Sequence, residues 1–281
     1  MKKGIRIERI IYGIVAALLF GALWLFTFPL RKVEQSYAPQ IVIFGDSICG
    51  QVRDETAVSA CLSEILGQEV YNGALGGTCC SRIETEGRMA YTRDSLSFAA
   101  LSRAAALKDF GTQQTANIRE NFTEYFPEVV DTLEQIDFSG VDILLVLYGV
   151  NDYHAGVPVD DPEDARNEHT YGGALRSALS FWQEAYPDMR IILLTSTYAW
   201  YTGEVAETCE EKDYGGGILE DYVDKEMQVA EEMDVELLDL YHDLYPHASW
   251  EDWQLYTADG LHPNEAGRRL IAETIAAYLG Q

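Results

Sequence analysis

The stretch IVIFGDSICG, residues 41–50, decides the fold class of this chain. Its first four residues are apolar, and the run ends at Gly45, Asp46 and Ser47 before apolar residues resume at helical spacing. A continuous apolar run of this length that is closed by glycine is typical of a strand buried inside a sheet. The stretch therefore predicts a strand followed by a helix, with a serine at the turn between them.

Working outward, four more strands are predicted. They cover residues 69–72, 143–148, 190–195 and 235–240. Helical patterns separate them, at residues 51–66, 95–108, 115–136, 167–186, 218–233 and 264–279. Fully apolar strands that alternate with helices are typical of a parallel sheet with helices on both faces. We therefore predict an α/β fold with a five-stranded parallel sheet. Two irregular segments, residues 81–114 and 197–217, interrupt the pattern and are predicted to be insertions around a binding site.

The N-terminal part has the pattern of a membrane anchor. No charged residue occurs from Ile10 to Leu30, and about 21 helical residues at roughly 1.5 Å each match the thickness of a bilayer core. More basic residues precede this run than follow it, which predicts a cytoplasmic N-terminus, residues 1–9, and an extracellular catalytic domain, residues 40–281, after a tether at 31–39. A cleaved signal peptide is the alternative, but Pro39 directly follows its best candidate cleavage site and disfavours cleavage there.

Charge and cysteine content limit the partners. The net charge of -26 repels polyanions, so nucleic acid is excluded as a partner. Five cysteines leave at least one thiol free or paired between chains. We hypothesise a disulfide between Cys49 and either Cys79 or Cys80, because both loops are expected to meet at the site. No Cys-x-x-Cys pair or histidine cluster suggests zinc, so no metal is predicted.

Residues that could take part in catalysis follow the predicted strands. Ser47, the Gly76-Gly77 loop and Asn151 come directly after strands, and Asp259 and His262 lie in the loop before the last helix. In an open parallel sheet the carboxyl ends of the strands form the ligand site, so these residues are expected to meet.

These residue types fit acyl transfer through a serine ester. Ser47 is predicted to attack a carbonyl, His262 to act as the base, and Asp259 to orient the imidazole. The oxyanion would be bound by the amides of Ser47 and Gly77 and by the side chain of Asn151. Each residue alone has a structural explanation, as a helix cap or a turn; their order and placement favour catalysis.

Other residues are weaker candidates for substrate binding. They are Gly76, His154, Trp200 and Tyr201, for which loop packing is the competing explanation. Asp46 is assigned to holding its turn, and Asp152 is assigned to loop hydrogen bonds. His169, His242 and His247 show no spaced partner and are predicted to be structural or exposed.

Four blocks resemble the SGNH hydrolases, also called GDSL-like lipases and esterases. They read GDSICG from Gly45, NGALGGT from Asn72, YGVND from Tyr148 and DGLHPN from Asp259. The resemblance implies a flavodoxin-like three-layer α/β/α sandwich, the catalytic roles given above, and no metal or organic cofactor. The chain departs from the family at Cys49 and in the second block, where Ser-Gly-Asp is common. Gly77 is therefore the first choice of donor and Gly76 the second.

The predicted function is an extracytoplasmic serine esterase. Its expected substrate is a carboxylic ester, with a short acyl group such as acetyl on a carbohydrate. One alternative is a carbohydrate O-acyltransferase that uses the same acyl-enzyme. Another, from a different class, is a non-catalytic surface binding module that keeps the fold.

Overall fold

A computed structural model describes residues 36–83, 94–115 and 125–280 of the chain. The predicted membrane anchor, residues 10–30, lies outside this range, as does the predicted cytoplasmic segment. Within the described residues, no helix is both long and apolar enough to cross a membrane. One compact unit spans Tyr37–Gln281.

The predicted five-stranded parallel sheet is confirmed. Its strands are β1 (Ile41–Gly45), β2 (Val70–Asn72), β3 (Ile143–Leu147), β4 (Arg190–Leu194) and β7 (Glu236–Leu238), in the spatial order β2-β1-β3-β4-β7. This is the doubly wound order of flavodoxin-like folds. The order reverses between β1 and β3, and a crevice forms at the carboxyl ends of strands at such a point. Ser47 and Asn151 follow these two strands.

Burial explains why the strands lack a polar face. All five residues of β1 are buried, and so are the last four of β3 and of β4.

The helices are α1 (Ser47–Gly50), α2 (Val58–Leu66), α3 (Phe98–Leu107), α4 (Gly111–Thr115), α5 (Phe126–Gln135), α6 (Val150–His154), α7 (Tyr171–Ala185), α8 (Leu219–Met233), α9 (Trp253–Tyr256) and α10 (Glu265–Leu279). α2 packs on α10, while α7 packs between α3 and α8. Two groups of helices thus cover the sheet.

Two predicted helices begin later than their sequence pattern suggested. The helix predicted over residues 51–66 starts at Val58, because the Asp54 side chain accepts hydrogen bonds from the amide and hydroxyl of Thr56 and forms a turn instead. The helix predicted over 115–136 is described only from Phe126, with Pro127 in its first turn. Residues 116–124 lie outside the described range.

The insertion at residues 197–217 contains a small second sheet. Its strands, β5 (Trp200–Thr202) and β6 (Ala206–Thr208), are antiparallel and pair Trp200 with Thr208. We refer to residues 200–208 as the β5–β6 hairpin. In the other insertion, the helix predicted at 95–108 is present as α3, whose first turn is capped by the Ser97 side chain.

The hypothesised disulfide is wrong. All five cysteines are buried, and none of them forms a disulfide. Cys49 and Cys80 belong to the main hydrophobic core, where a thiol packs as a small apolar side chain. Burial raises the pKa of both thiols above the ordinary value, so neither is an activated nucleophile.

Candidate active site

Ser47 lies where β1 ends and α1 begins. Its neighbour Asp46 is the N-cap of α1 and accepts a hydrogen bond of 2.9 Å from the Ile48 amide. The buried Asp46 side chain fixes the turn, as the sequence predicted, and Ser47 remains half-buried at the carboxyl end of the sheet. The serine hydroxyl is therefore held on a rigid turn and still reaches the surface.

The side chains of Ser47, His262 and Asp259 form a continuous chain. Ser47 Oγ lies 3.0 Å from His262 Nε2, and His262 Nδ1 lies 2.7 Å from Asp259 Oδ2. Asp259 Oδ1 also accepts the backbone amides of Leu261 and His262. Although burial raises the pKa of Asp259, the hydrogen bonds from His262 and Leu261 outweigh it and hold the pKa below the ordinary value. The carboxylate stays ionised and keeps the imidazole proton on Nδ1.

The loop that carries Asp259 and His262 is braced by the β5–β6 hairpin. The Trp200 amide donates to the Gly260 carbonyl at 2.8 Å, and Thr202 Oγ1 donates to the Asp259 carbonyl at 3.4 Å. Gly260 has a φ of +95°, and a Cβ there would come within 2.1 Å of the Trp200 carbonyl oxygen. Only glycine allows this close approach. The second insertion therefore positions the base.

Asn151 and Gly77 line the same cavity. Asn151 is in the first turn of α6, and its Nδ2 donates to the Thr78 carbonyl at 3.0 Å. A side-chain amide has two N–H donors, so the second is available for an oxyanion. Gly77 has a φ of +72°, a left-handed conformation that suits glycine.

The Gly76 amide has a partner in the protein. It donates to the Tyr125 hydroxyl at 3.0 Å. A Cβ at Gly76 would lie 3.1 Å from that hydroxyl and 3.5 Å from Ser47 Cβ, so the tyrosine hydroxyl lies beside the serine turn. The Arg53 guanidinium stacks over the Tyr125 ring at 4.7 Å. Nothing in the sequence indicated Tyr125, because it belongs to no motif and precedes a helix about 50 residues from Gly76.

Asp152 ties the two oxyanion segments together. Its buried carboxylate accepts the amides of Cys80 and Ser81 at 2.8 and 2.9 Å, and also the Ser81 hydroxyl. The sequence assigned Asp152 to loop hydrogen bonds, and the structure agrees. These bonds fix the loop after β2 relative to α6, which sets the spacing between Gly77 and Asn151.

His154 and Tyr201 lie together near the site, whereas Trp200 does not face it. His154 Nε2 is 2.7 Å from the Tyr201 hydroxyl, and burial, together with the nearby His262, lowers the pKa of His154 to about 4. Trp200 is only 2% exposed and packs against Tyr198 at a ring distance of 4.6 Å. The prediction that Trp200 stacks on a substrate is therefore corrected, because its ring belongs to the core.

A second Asp-x-x-His pair occurs at Asp239 and His242, and the prediction that His242 lacks a spaced partner is wrong. His242 Nδ1 lies 2.7 Å from Asp239 Oδ2, the same distance as in the pair at Asp259 and His262. Its Nε2 faces Glu220 at 3.7 Å instead of a serine. The spacing between aspartate and histidine alone therefore does not identify a catalytic base. A serine hydroxyl in contact with the other ring nitrogen of the histidine identifies it.

Asp46 carries a stability consequence that can be tested. Burial raises its pKa to about 7, against the hydrogen bond from Ile48, and Asp152 adds to the rise. Its Oδ2 is buried without a partner among the described residues. Between its unfolded pKa of about 4 and about 7, the folded state binds one more proton than the unfolded state, so this group makes stability fall as pH rises through that range.

We expect Asp46→Asn to remove this pH-dependent contribution to the free energy of unfolding. The variant keeps an oxygen to cap Ile48 but cannot ionise, so its unfolding free energy should fall less between pH 4 and 7 than that of the parent protein. Urea unfolding at pH 5, 6, 7 and 8 measures both slopes. The exposed Asp188→Asn is the matched control and should follow the parent. Identical slopes for Asp46→Asn and the parent would contradict the assignment.

The arrangement has the parts that serine acyl transfer needs. The described residues include a serine hydroxyl, an imidazole that contacts it, an ionised carboxylate behind the imidazole, and an asparagine amide with a second N–H donor. No three His, Cys, Asp or Glu side chains within the described part of the chain are grouped so that they could hold a metal ion.

Known proteins resemble this chain in sequence profile and in structure. The sequence profile of the GDSL-like Lipase/Acylhydrolase family matches residues 43–270. A comparison with curated proteins found no match. Among solved structures, a protein from Lactobacillus plantarum is 19% identical, with a TM-score of 0.60 over 87% of this chain and 98% of its own.

Two further structures share the fold. The salicylyl-acyltransferase SsfX3 from a tetracycline biosynthetic pathway is 16% identical, with a TM-score of 0.52 over 88% of this chain and 56% of its own. Est24, a carbohydrate acetylesterase from Sinorhizobium meliloti, is 14% identical, with a TM-score of 0.50 over 85% of this chain and 97% of its own. At these identities the likeness concerns the fold.

Proposed function

The chain belongs to the GDSL-like lipase/acylhydrolase family, and on that premise we propose that it is a serine esterase. The observation that carries the proposal is the unbroken contact from Ser47 Oγ through His262 to Asp259, at 3.0 and 2.7 Å. Both distances are within hydrogen-bonding range. These two contacts supply the proton-transfer path that nucleophilic attack by Ser47 requires.

The proposed reaction has two halves. Ser47 Oγ attacks the ester carbonyl while His262 Nε2 takes the hydroxyl proton, and the oxyanion is bound by the Ser47 and Gly77 amides and Asn151 Nδ2. The tetrahedral intermediate then collapses, the bond to the alcohol breaks, and the alcohol leaves with the proton from His262. Water then attacks the acyl-enzyme with His262 again as base, and this releases the acid and restores Ser47.

The proposed substrate is a short-chain acyl ester of a carbohydrate. It is supported by the family and by the fold shared with a carbohydrate acetylesterase. We also propose that residues 10–30 anchor the chain in a membrane and that the catalytic domain is extracellular. That part depends on the uncharged run and its basic flank in the sequence.

A second candidate is transfer of the acyl group to a sugar hydroxyl. The fold shared with a salicylyl-acyltransferase supports acyl transfer as a second candidate function. The same acyl-enzyme serves both hydrolysis and transfer. A non-catalytic binding module is less well supported, since nothing about binding alone requires the contact between Ser47 and His262. Product analysis with a carbohydrate acceptor present distinguishes the first two: acylated sugar indicates transfer, and free acid alone indicates hydrolysis.

The experiment is hydrolysis of a p-nitrophenyl ester series by the protein and by its Ser47→Ala variant. We expect turnover by the parent and loss of it in the variant, because the acyl-enzyme cannot form. Equal rates for both proteins would overturn the esterase proposal. Absence of turnover in both, with a folded parent, would favour the binding module.

A further inference from the structure

A cavity of about 250 Å³ adjoins the candidate oxyanion hole. Gly77 and Asn151 form part of its wall, and the rest comes from the loop after β2 and from the end of α6. A group bound in it would therefore be attached directly to a carbonyl held between Gly77 and Asn151. A role for this cavity in substrate binding rests on the proposed esterase function, because it concerns the same site.

The chemistry of the reaction assigns this cavity to one side of the ester. The leaving oxygen must lie beside His262 Nε2, which gives it a proton. His262 is not among the described residues that line the cavity, whereas two of the oxyanion donors are. The substituent that enters the cavity is therefore the one on the carbonyl carbon, the acyl chain.

The walls suit an apolar chain. Cys79, Ile83 and Ala155 contribute apolar surface. Polar groups in the wall already have partners in the protein: the Ser81 hydroxyl donates to Asp152, and Asp94 accepts the Ile83 amide. Partnered polar groups do not require a polar ligand to satisfy them.

His154 is another polar side chain in the wall. Its Nε2 is held by the Tyr201 hydroxyl, and its pKa of about 4 leaves the ring uncharged at neutral pH. An uncharged imidazole costs an apolar chain far less desolvation than a cation would. The electrostatics of this wall are therefore compatible with an acyl chain.

The volume of the cavity exceeds what an acetyl group needs. If each carbon group takes about the volume of a water molecule, roughly 30 Å³, an acetyl group fills only a small part of 250 Å³. We propose that this cavity is the acyl subsite, that it selects chains of about four to eight carbons over acetyl, and that Ala155 determines the upper length.

The test fills the cavity at its exposed edge. Ala155 is exposed and directly follows α6, so Ala155→Phe should fold. We expect the parent protein to hydrolyse p-nitrophenyl hexanoate with a kcat/KM at least tenfold above that for the acetate. Ala155→Phe should lose most of that preference, because its kcat/KM for the hexanoate should fall by a larger factor than its kcat/KM for the acetate. Ala277→Phe, an exposed position on α10, should match the parent.

Two outcomes would overturn the acyl subsite while leaving the esterase proposal intact. One is a parent that prefers acetate, and the other is an Ala155→Phe variant whose chain-length profile is unchanged or lowered equally at all lengths. A second measurement distinguishes failure of the acyl-subsite proposal from failure of the proposed esterase function. Ser47→Ala is titrated with methyl hexanoate and followed by thermal shift, with and without Ala155→Phe. Stabilisation that Ala155→Phe abolishes supports the subsite even without hydrolysis; no stabilisation and no hydrolysis overturn both.

Discussion

His262→Ala is expected to lower kcat by about 10⁴ to 10⁶, the range that loss of a catalytic histidine costs in serine hydrolases. The physical reason is the 3.0 Å contact between Ser47 Oγ and His262 Nε2, which is the route by which the hydroxyl loses its proton. Steady-state hydrolysis of a p-nitrophenyl ester measures the loss, and the unfolding free energy of the variant shows whether the fold is intact.

The chain supplies a matched control for this variant. His242 has the same spacing to an aspartate and the same 2.7 Å contact between Nδ1 and the carboxylate, but its Nε2 faces Glu220 and not a serine. We expect His242→Ala to retain activity within about twofold. If the two histidine variants lose activity equally, the assignment of His262 as the base is wrong.

Asn151→Ala is expected to lower kcat by about 10² to 10³, with little change in KM. One N–H of its side chain is fixed by the Thr78 carbonyl at 3.0 Å, which aims the other at a developing oxyanion. A donor that acts mainly in the transition state affects kcat more than ground-state binding. Separate determination of kcat and KM provides the test.

Asn167→Ala controls for the loss of an asparagine elsewhere. Asn167 donates to Asp161 at 2.8 Å before the start of α7, and it is not among the described residues that line the cavity beside Gly77 and Asn151. Its variant should keep its kcat even if stability falls by about 1 kcal/mol, the usual value of one hydrogen bond. An Asn151→Ala variant with unchanged kcat, or with a raised KM as its only defect, would remove Asn151 from the oxyanion hole.

Much of the sheet and the triad could be predicted because strong local signals coincide with the fold. The apolar runs at 41–44 and 143–147 predict buried strands, and β1 and β3 occupy these positions. In a parallel sheet, whatever comes directly after such strands lies at one edge. Ser47 and Asn151 were therefore placed together from the sequence alone, although about a hundred residues separate them.

Other features depend on contacts that leave no local trace. Trp200 and Tyr201 are adjacent aromatics in an insertion, and nothing in their sequence shows that one ring is buried and the other reaches His154. Tyr125 contacts Gly76 only through the fold. The pairs at Asp239 and Asp259 have the same spacing to a histidine, and the serine that distinguishes them is more than 200 residues away from His262.

The central claim is that Ser47 is the nucleophile, and covalent labelling tests it most directly. The protein is incubated with an alkyl fluorophosphonate, digested, and analysed by mass spectrometry. We predict one adduct, on the peptide that contains Ser47, which forms far more slowly in His262→Ala and not at all in Ser47→Ala. An unlabelled parent protein, or an adduct on any other residue, would contradict the assignment of Ser47 as the nucleophile.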